Sequence, residues 1–332
     1  MRLLLRNLVF LSIASYYSFA QTPWVYKYIV NGGDINSCQF INKDIGYAVG
    51  YSGAVGYGII IKTENGGSNW VSQNTDKMID FRSISVIDEN TAFIVGSDPF
   101  SAGTKIFKTN DGGKNWVQSA FYYAKGFEKI IFLNKTLGYA VGNDLSVGAR
   151  IIRTSDGGLT WSFCDPGAGD MLLSLCNSPD GVIFAVGTKG WIIKSTDFGD
   201  TWISQNSGTE ESLESVFFVN KETGFISLNN FGYKECFYLK TTDGGTTWVR
   251  TATGTNVWIR CFYFLDENIG FAVGDSDVHE GAIIKTIDGG QTWKKLESGN
   301  CGYLNTVNFI DKDYGFIAGE HGLILKTITG GE

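Results

Sequence analysis

Beyond residue 20 the chain is built from short runs in which apolar and polar residues alternate. Examples are Ser37-Cys38-Gln39-Phe40, Ser83-Ile84-Ser85-Val86, Ser215-Val216-Phe217-Phe218 and Thr306-Val307-Asn308-Phe309. Each run is followed by a compact apolar segment: GYAVG at 46–50, AFIVG at 92–96, GYAVG at 138–142, IFAVG at 183–187, GFISL at 224–228, GFAVG at 270–274 and GFIAG at 315–319. A third run, such as Gly281-Ala282-Ile283-Ile284-Lys285, leads into a glycine-rich turn, and a tryptophan opens a fourth. Period-two runs this short, with turn residues between them, predict strands. No stretch after residue 20 keeps a helical period.

The turn is a repeated phrase. KTENGGSNW ends at Trp70, KTNDGGKNW at Trp116, RTSDGGLTW at Trp161, KSTDFGDTW at Trp202, KTTDGGTTW at Trp248 and KTIDGGQTW at Trp293. A seventh copy, KTITGGE, runs from Lys326 to Glu332 without its tryptophan. Successive tryptophans lie 46, 45, 41, 46 and 45 residues apart. A fixed period of that size is the mark of repeat architecture. Asp111, Asp156, Asp197, Asp243 and Asp288 are read as structural: Asp bonds nearby amides and Gly takes the positive φ of a tight hairpin. The tryptophans are apolar plugs whose N–H needs a partner. The lysine opening each phrase reads as a solvated edge charge.

Four short strands per repeat make the blade of a β-propeller, and seven such blades closing on one another cover faces that a single blade leaves wet. The expected fold is therefore all-β, a seven-bladed propeller of four-stranded antiparallel blades over residues 21–332. Trp24-Val25-Tyr26-Lys27-Tyr28 reads like a fourth strand, and the chain's last copy lacks one. The N-terminal strand is thus expected to complete the seventh blade beside residues 322–327. The alternative is a chain whose own final strand lies beyond Glu332.

The repeated hairpin resembles the Asp-box, or bacterial neuraminidase repeat. The fuller pattern, GYAVG followed by I-x-K-T-x-D-G-G-x-x-W, resembles the photosystem II stability and assembly factor family. The likeness runs from about Trp24 to Glu332. It implies a propeller and, from the photosynthetic members, an assembly chaperone; Asp-boxes also occur in sialidases, xyloglucanases and sortilin-type receptors. Asn65, Phe198 and Thr329 depart from the pattern at the first Asp, at the first Gly and at the last Asp.

Residues 1–20 read as a secretory signal peptide: Arg2 and Arg6, an apolar Leu8–Ala14, and Ser18-Phe19-Ala20 before a cut at Gln21. The protein is expected to be exported, to the periplasm, cell surface or medium, with no membrane span after cleavage. Removing Arg2 and Arg6 takes the formal charge from −7 to −9, which argues against nucleic acid.

Catalytic motifs are missing. There is no G-x-S-x-G, H-E-x-x-H or C-x-x-C, and His279 and His321 are the only histidines. No cofactor and no metal site is expected. Sialidases implied by the Asp-box need three converging arginines, and of Arg82, Arg150, Arg153, Arg250 and Arg260 two look peripheral. A xyloglucanase needs two carboxylates across a cleft between two propellers.

The loops between second and third strands should share one face of the ring. They carry Tyr51, Asp98, Asp144, Tyr233, Asp275, His279 and His321, alongside Tyr57, Phe100, Asp277, Glu280 and Glu320. These are the candidate ligand-binding residues, for a peptide, a sugar or cationic ligand, or a divalent cation. The function expected is a non-enzymatic, monomeric scaffold that binds a protein partner. The alternative is a carbohydrate-binding or glycan-cleaving propeller. Of the six cysteines, Cys164 and Cys176 are the pair expected to form a disulfide, while Cys38 reads as a small buried hydrophobe.

Overall fold

The computed structural model describes residues 23–28, 32–53, 56–73, 78–98, 103–122, 126–144, 148–229, 235–276, 279–299 and 301–332. The expected signal peptide lies outside them. Among the described residues no helix is long and apolar enough to cross a membrane.

Seven four-stranded antiparallel sheets form the ring. The first blade runs Asp34–Phe40, Gly46–Ser52, Tyr57–Thr63 and Val71–Ser72. Its opening strand lies innermost, around the axis, and its closing strand lies at the rim. The apolar five-residue segments of the second strands are buried, because blades cover both of their faces; Gly46–Gly50 and Gly270–Gly274 are examples. Rim strands are short and mostly exposed.

Ring closure is as expected. Val25–Tyr28 pairs antiparallel with Leu323–Thr327, joining Val25 to Lys326 and Tyr28 to Leu323. The structure adds what anchors it. Trp24 is fully buried and packs edge-on against Phe309, ring centroids 6.2 Å apart. It also rests on Gly331, where an added Cβ would stand 2.9 Å from the indole. Trp70 covers Gly67 and Trp248 covers Gly245 in the same way. Trp24 is therefore the tryptophan that the seventh phrase lacks.

Aromatic stacks seal the junctions between blades. The last residue of an inner strand stacks on the second-strand aromatic of the preceding blade in Phe93–Phe132, Phe184–Phe218, Phe225–Phe264, Phe271–Phe309 and Phe316–Phe40. A tryptophan then meets the stack edge-on, as Trp161 does with Phe93 and Phe132. Such offset and edge-to-face contacts suit the ring quadrupoles.

The turn differs from the expected hairpin in three ways. Seven residues separate the strands, more than a tight hairpin needs, for instance between Thr109 and Val117. The threonine does much of the holding: Thr109 Oγ1 donates to Asp111 at 2.9 Å and accepts from Gly113 N at 2.9 Å. The carboxylate meanwhile accepts from the amide four residues on, Asn115 N at 2.9 Å. Asn65 does the same for Asn69 N, which is why Asn is tolerated there.

The opening lysines are not solvated edge charges. Lys108, Lys194, Lys240 and Lys326 each donate to a glycine carbonyl in the next blade's turn, at 2.8, 2.8, 2.7 and 2.7 Å. Each ammonium also lies over an aromatic ring, as Lys108 does over Phe93 at 5.2 Å. Lys326 reaches Gly66 and so ties the seventh blade to the first. Arg153 makes the same reach to the Phe198 carbonyl. Only some indole N–H groups find partners: Trp161 meets Ser119, whereas those of Trp70, Trp202 and Trp248 are buried without one.

The expected Cys164–Cys176 disulfide does not form; both thiols are free. Cys164 sits on the rim strand of the third blade and Cys176 on the innermost strand of the fourth. Their strands lie at opposite radial ends of their sheets. Cys38 is buried, as expected of a small hydrophobe.

Candidate functional site

Every inner strand carries a bulge at the same step, at Asn36, Arg82, Glu128, Leu173, Glu214, Arg260 and Asn305. An extra residue re-aims side chains and is common beside functional sites. Register puts these bulges near the loops between second and third strands: Asp34 pairs with Tyr51, Asp80 with Ser97 and Trp258 with Asp275. One mouth of the ring thus gathers the described loop residues and the bulge residues. Sequence reading missed the bulges. Their signal is two polar residues in a row inside an alternating run, as in Asn36-Ser37 and Arg82-Ser83.

Several bulge residues tie one blade to the next. Asn36 donates to the Phe81 carbonyl at 2.8 Å, and Asn305 to the Ile35 carbonyl at 3.0 Å. Arg82 pairs with Asp80 at 2.8 Å and lies 3.9 Å from Glu128 in the third blade.

The predicted acids are already engaged. Asp98 accepts from Lys105 at 2.7 Å, and Asp144 lies 3.8 Å from Arg150. Asp275 is 2% exposed and takes Arg260 in a fork, from Nε at 3.0 Å and from a terminal nitrogen at 2.8 Å. Burial pushes its carboxyl upward while Arg260 opposes that. The same guanidinium faces Glu214, half-buried and also pushed upward by burial, whose carboxylate accepts from Asn229 at 2.7 Å. Arg260 lies over both Trp258 and Tyr303, at 4.9 and 5.3 Å. A planar guanidinium can pair with a carboxylate and stack on rings at once.

The histidines do lie on this face. His279 and His321 are exposed, and both take left-handed backbone, φ 60° and 58°. His279 Nδ1 lies 2.9 Å from the Tyr303 hydroxyl. The His321 amide donates to Asp34 at 3.1 Å, and the adjoining Glu320 amide to the Tyr303 carbonyl at 2.9 Å. Tyr303 therefore stands between the two histidine turns. Tyr51 is half-buried at the end of its strand and Tyr57 is exposed. Tyr233, Phe100 and Asp277 lie outside the described residues. Among the described residues no group of three or more His, Cys, Asp or Glu side chains is arranged to hold a metal ion.

The ring and its paired mouth define the class: a seven-bladed, four-stranded β-propeller. No family model and no curated protein matches the chain. Solved propellers do. YCF48, in a structure with a D1 peptide bound, is 22% identical with a TM-score of 0.73, over 92% of this chain and 97% of that one. YCF48 from Cyanidioschyzon merolae is 17% identical with a TM-score of 0.72, over 92% and 98%. The GH74 xyloglucanase from Xanthomonas campestris is 11% identical with a TM-score of 0.71, over 93% of this chain but 54% of the enzyme. YCF48 is a photosystem II assembly factor, so the resemblance drawn from the repeats holds at the level of the fold. Identities this low carry no function with them.

Proposed function

We propose that this chain is a binding scaffold that holds an extended segment of a partner protein on the mouth of the ring bearing the bulges and histidine turns. It works as a monomer and without chemistry of its own. The observation that carries this reading is the pairing of the mouth's charges. Asp98, Asp144 and Asp275 each face a lysine or arginine, which leaves a fixed mosaic of donors, acceptors and rings. Such a surface suits recognition, because its geometry is set before a partner arrives. The peptide-bound YCF48 structure supports the same use of this fold. Export, by cleavage before Gln21, belongs to the proposal, and N-terminal sequencing that finds Met1 retained would remove it.

A second reading has one specific observation behind it. Glu214, pushed upward by burial, could serve as a glycosidase acid. Its neighbour Asp275 is ill suited as the second carboxylate, being buried and clamped by Arg260. A glycosidase needs that partner open to the sugar or to water.

The test uses a peptide library displayed against the purified protein. Arg82→Glu and His321→Ala, on the mouth, should abolish selected binders, whereas Ile203→Thr at the exposed rim should not. Binding that survives both mouth variants, or hydrolysis of a xyloglucan or sialoside that Glu214→Gln removes, overturns the scaffold reading.

A further inference from the structure

The axis of the ring encloses a cavity of about 280 Å³ lined by all seven inner strands. Its polar lining has a structural task. Each inner strand turns one edge to the axis, and the amides on that edge need acceptors. Among the first three blades, side chains of the preceding blade supply them. Ser37 and Gln39 accept from Ile84 N and Val86 N, and Ser83 and Ser85 accept from Ile130 N and Phe132 N, at 2.8 to 3.5 Å.

Those caps join the first three blades; between the third and fourth neither position carries an acceptor, and in the fifth blade Phe217 takes the place of Gln39. Lys129 stands where Ser37 and Ser83 stand, and Ile131 where Gln39 and Ser85 stand. An ammonium has no lone pair to offer and isoleucine has no polar atom. The amides of Leu175 and Asn177, in the register of Ile84 and Val86, thus face the cavity without such a cap. Lys129 is the only charged side chain lining the cavity among the described residues, and no carboxylate there pairs with it. Nor do the cavity's three thiols supply an anion: burial pushes Cys38 and Cys176 up to about 12 and raises Cys261 as well, so all stay protonated.

We propose that the axial cavity is a binding site for a small monocarboxylate. Its carboxylate sits on the Lys129 ammonium and the amides of Leu175 and Asn177, and its short apolar tail lies against Ile131 and Phe217. One cation among neutral donors balances one negative charge. A dianion would leave a second charge enclosed without a partner, which is costly.

Four other blades carry serine at the Lys129 position, namely Ser37, Ser83, Ser174 and Ser215, so Lys129→Ser restores the repeat's own residue. The experiment is calorimetric titration of the full chain with sodium butyrate at constant ionic strength, with phosphate and chloride as competing probes. Butyrate should bind saturably, and Lys129→Ser should weaken it by about tenfold or more, the size of one charge-assisted hydrogen bond. Lys129→Arg should hold it within a few-fold. Circular dichroism establishes that each variant is folded. No saturable butyrate binding by the native chain, equal affinity in Lys129→Ser, or phosphate binding as tightly as butyrate would each overturn the proposal.

Discussion

Replacing Trp24 with alanine tests whether the N-terminal strand really fastens the ring. The indole is fully buried, edge-on to Phe309 at 6.2 Å and seated on Gly331. Truncating a buried tryptophan costs about 3–5 kcal/mol, from lost transfer energy and the cavity left behind. The consequence should also be local. Val25–Tyr28 is only four residues long and pairs with Leu323–Thr327 alone, so without its anchor it should detach. That would uncover the edge of the last strand. Urea denaturation should therefore read a loss of about 3–5 kcal/mol. Amide exchange at 323–327 should accelerate together with it. Trp116→Ala, another buried indole, should also destabilise the protein yet leave exchange at 323–327 unchanged, because it packs in the second blade, away from the last strand. A loss below about 1 kcal/mol for Trp24→Ala, well short of the range for such truncations, would refute the reasoning. So would undisturbed exchange at the last strand.

Other outcomes follow from the turns and the thiols. Phe198 holds left-handed backbone at φ 57° with its ring 57% exposed, and its carbonyl contacts to Tyr139 and Arg153 survive any side chain. Phe198→Gly should raise stability by about 0.5–1 kcal/mol, the relief of strain less the entropy glycine adds to the unfolded chain, and an unchanged or lowered denaturation midpoint would contradict this. Hydrogen bonds from Asn115, Thr160, Thr201, Thr247 and Thr292 hold Asp111, Asp156, Asp197, Asp243 and Asp288 down at about 2. A folded value below the unfolded one means that their contribution is complete above about pH 4 and is lost as the pH falls towards 2. Stability should fall over that window, and Asp243→Asn should flatten the fall; an identical acid profile would count against the assignment. Alkylation of the unfolded chain without reductant should modify all six cysteines, whereas a Cys164–Cys176 bond would leave four.

What a single repeat encodes was legible in the sequence. The number of blades, the strand order within each and the role of Val25–Tyr28 as an outer strand all follow from patterns spanning about 45 residues, a propeller-blade period. The loop residues on a common face were legible too, since register within a blade brings Asp34 to Tyr51 and Trp258 to Asp275. Only the tertiary structure decided what lies between blades. Lys108 looked like an edge charge because its acceptor, the Gly157 carbonyl, is supplied by the next turn along the ring. Asp275 looked like an open ligand, yet a bulge turns Arg260 onto it. Lys129 carries no mark of its own in the repeat pattern. It stands out only where seven inner strands converge on one axis and, among the described residues, no side chain lining the cavity carries the opposite charge. Periodicity along a chain records which residues must be dry; which dry or charged groups meet depends on closing the ring, and that joins Lys326 to Gly66 across nearly the whole sequence.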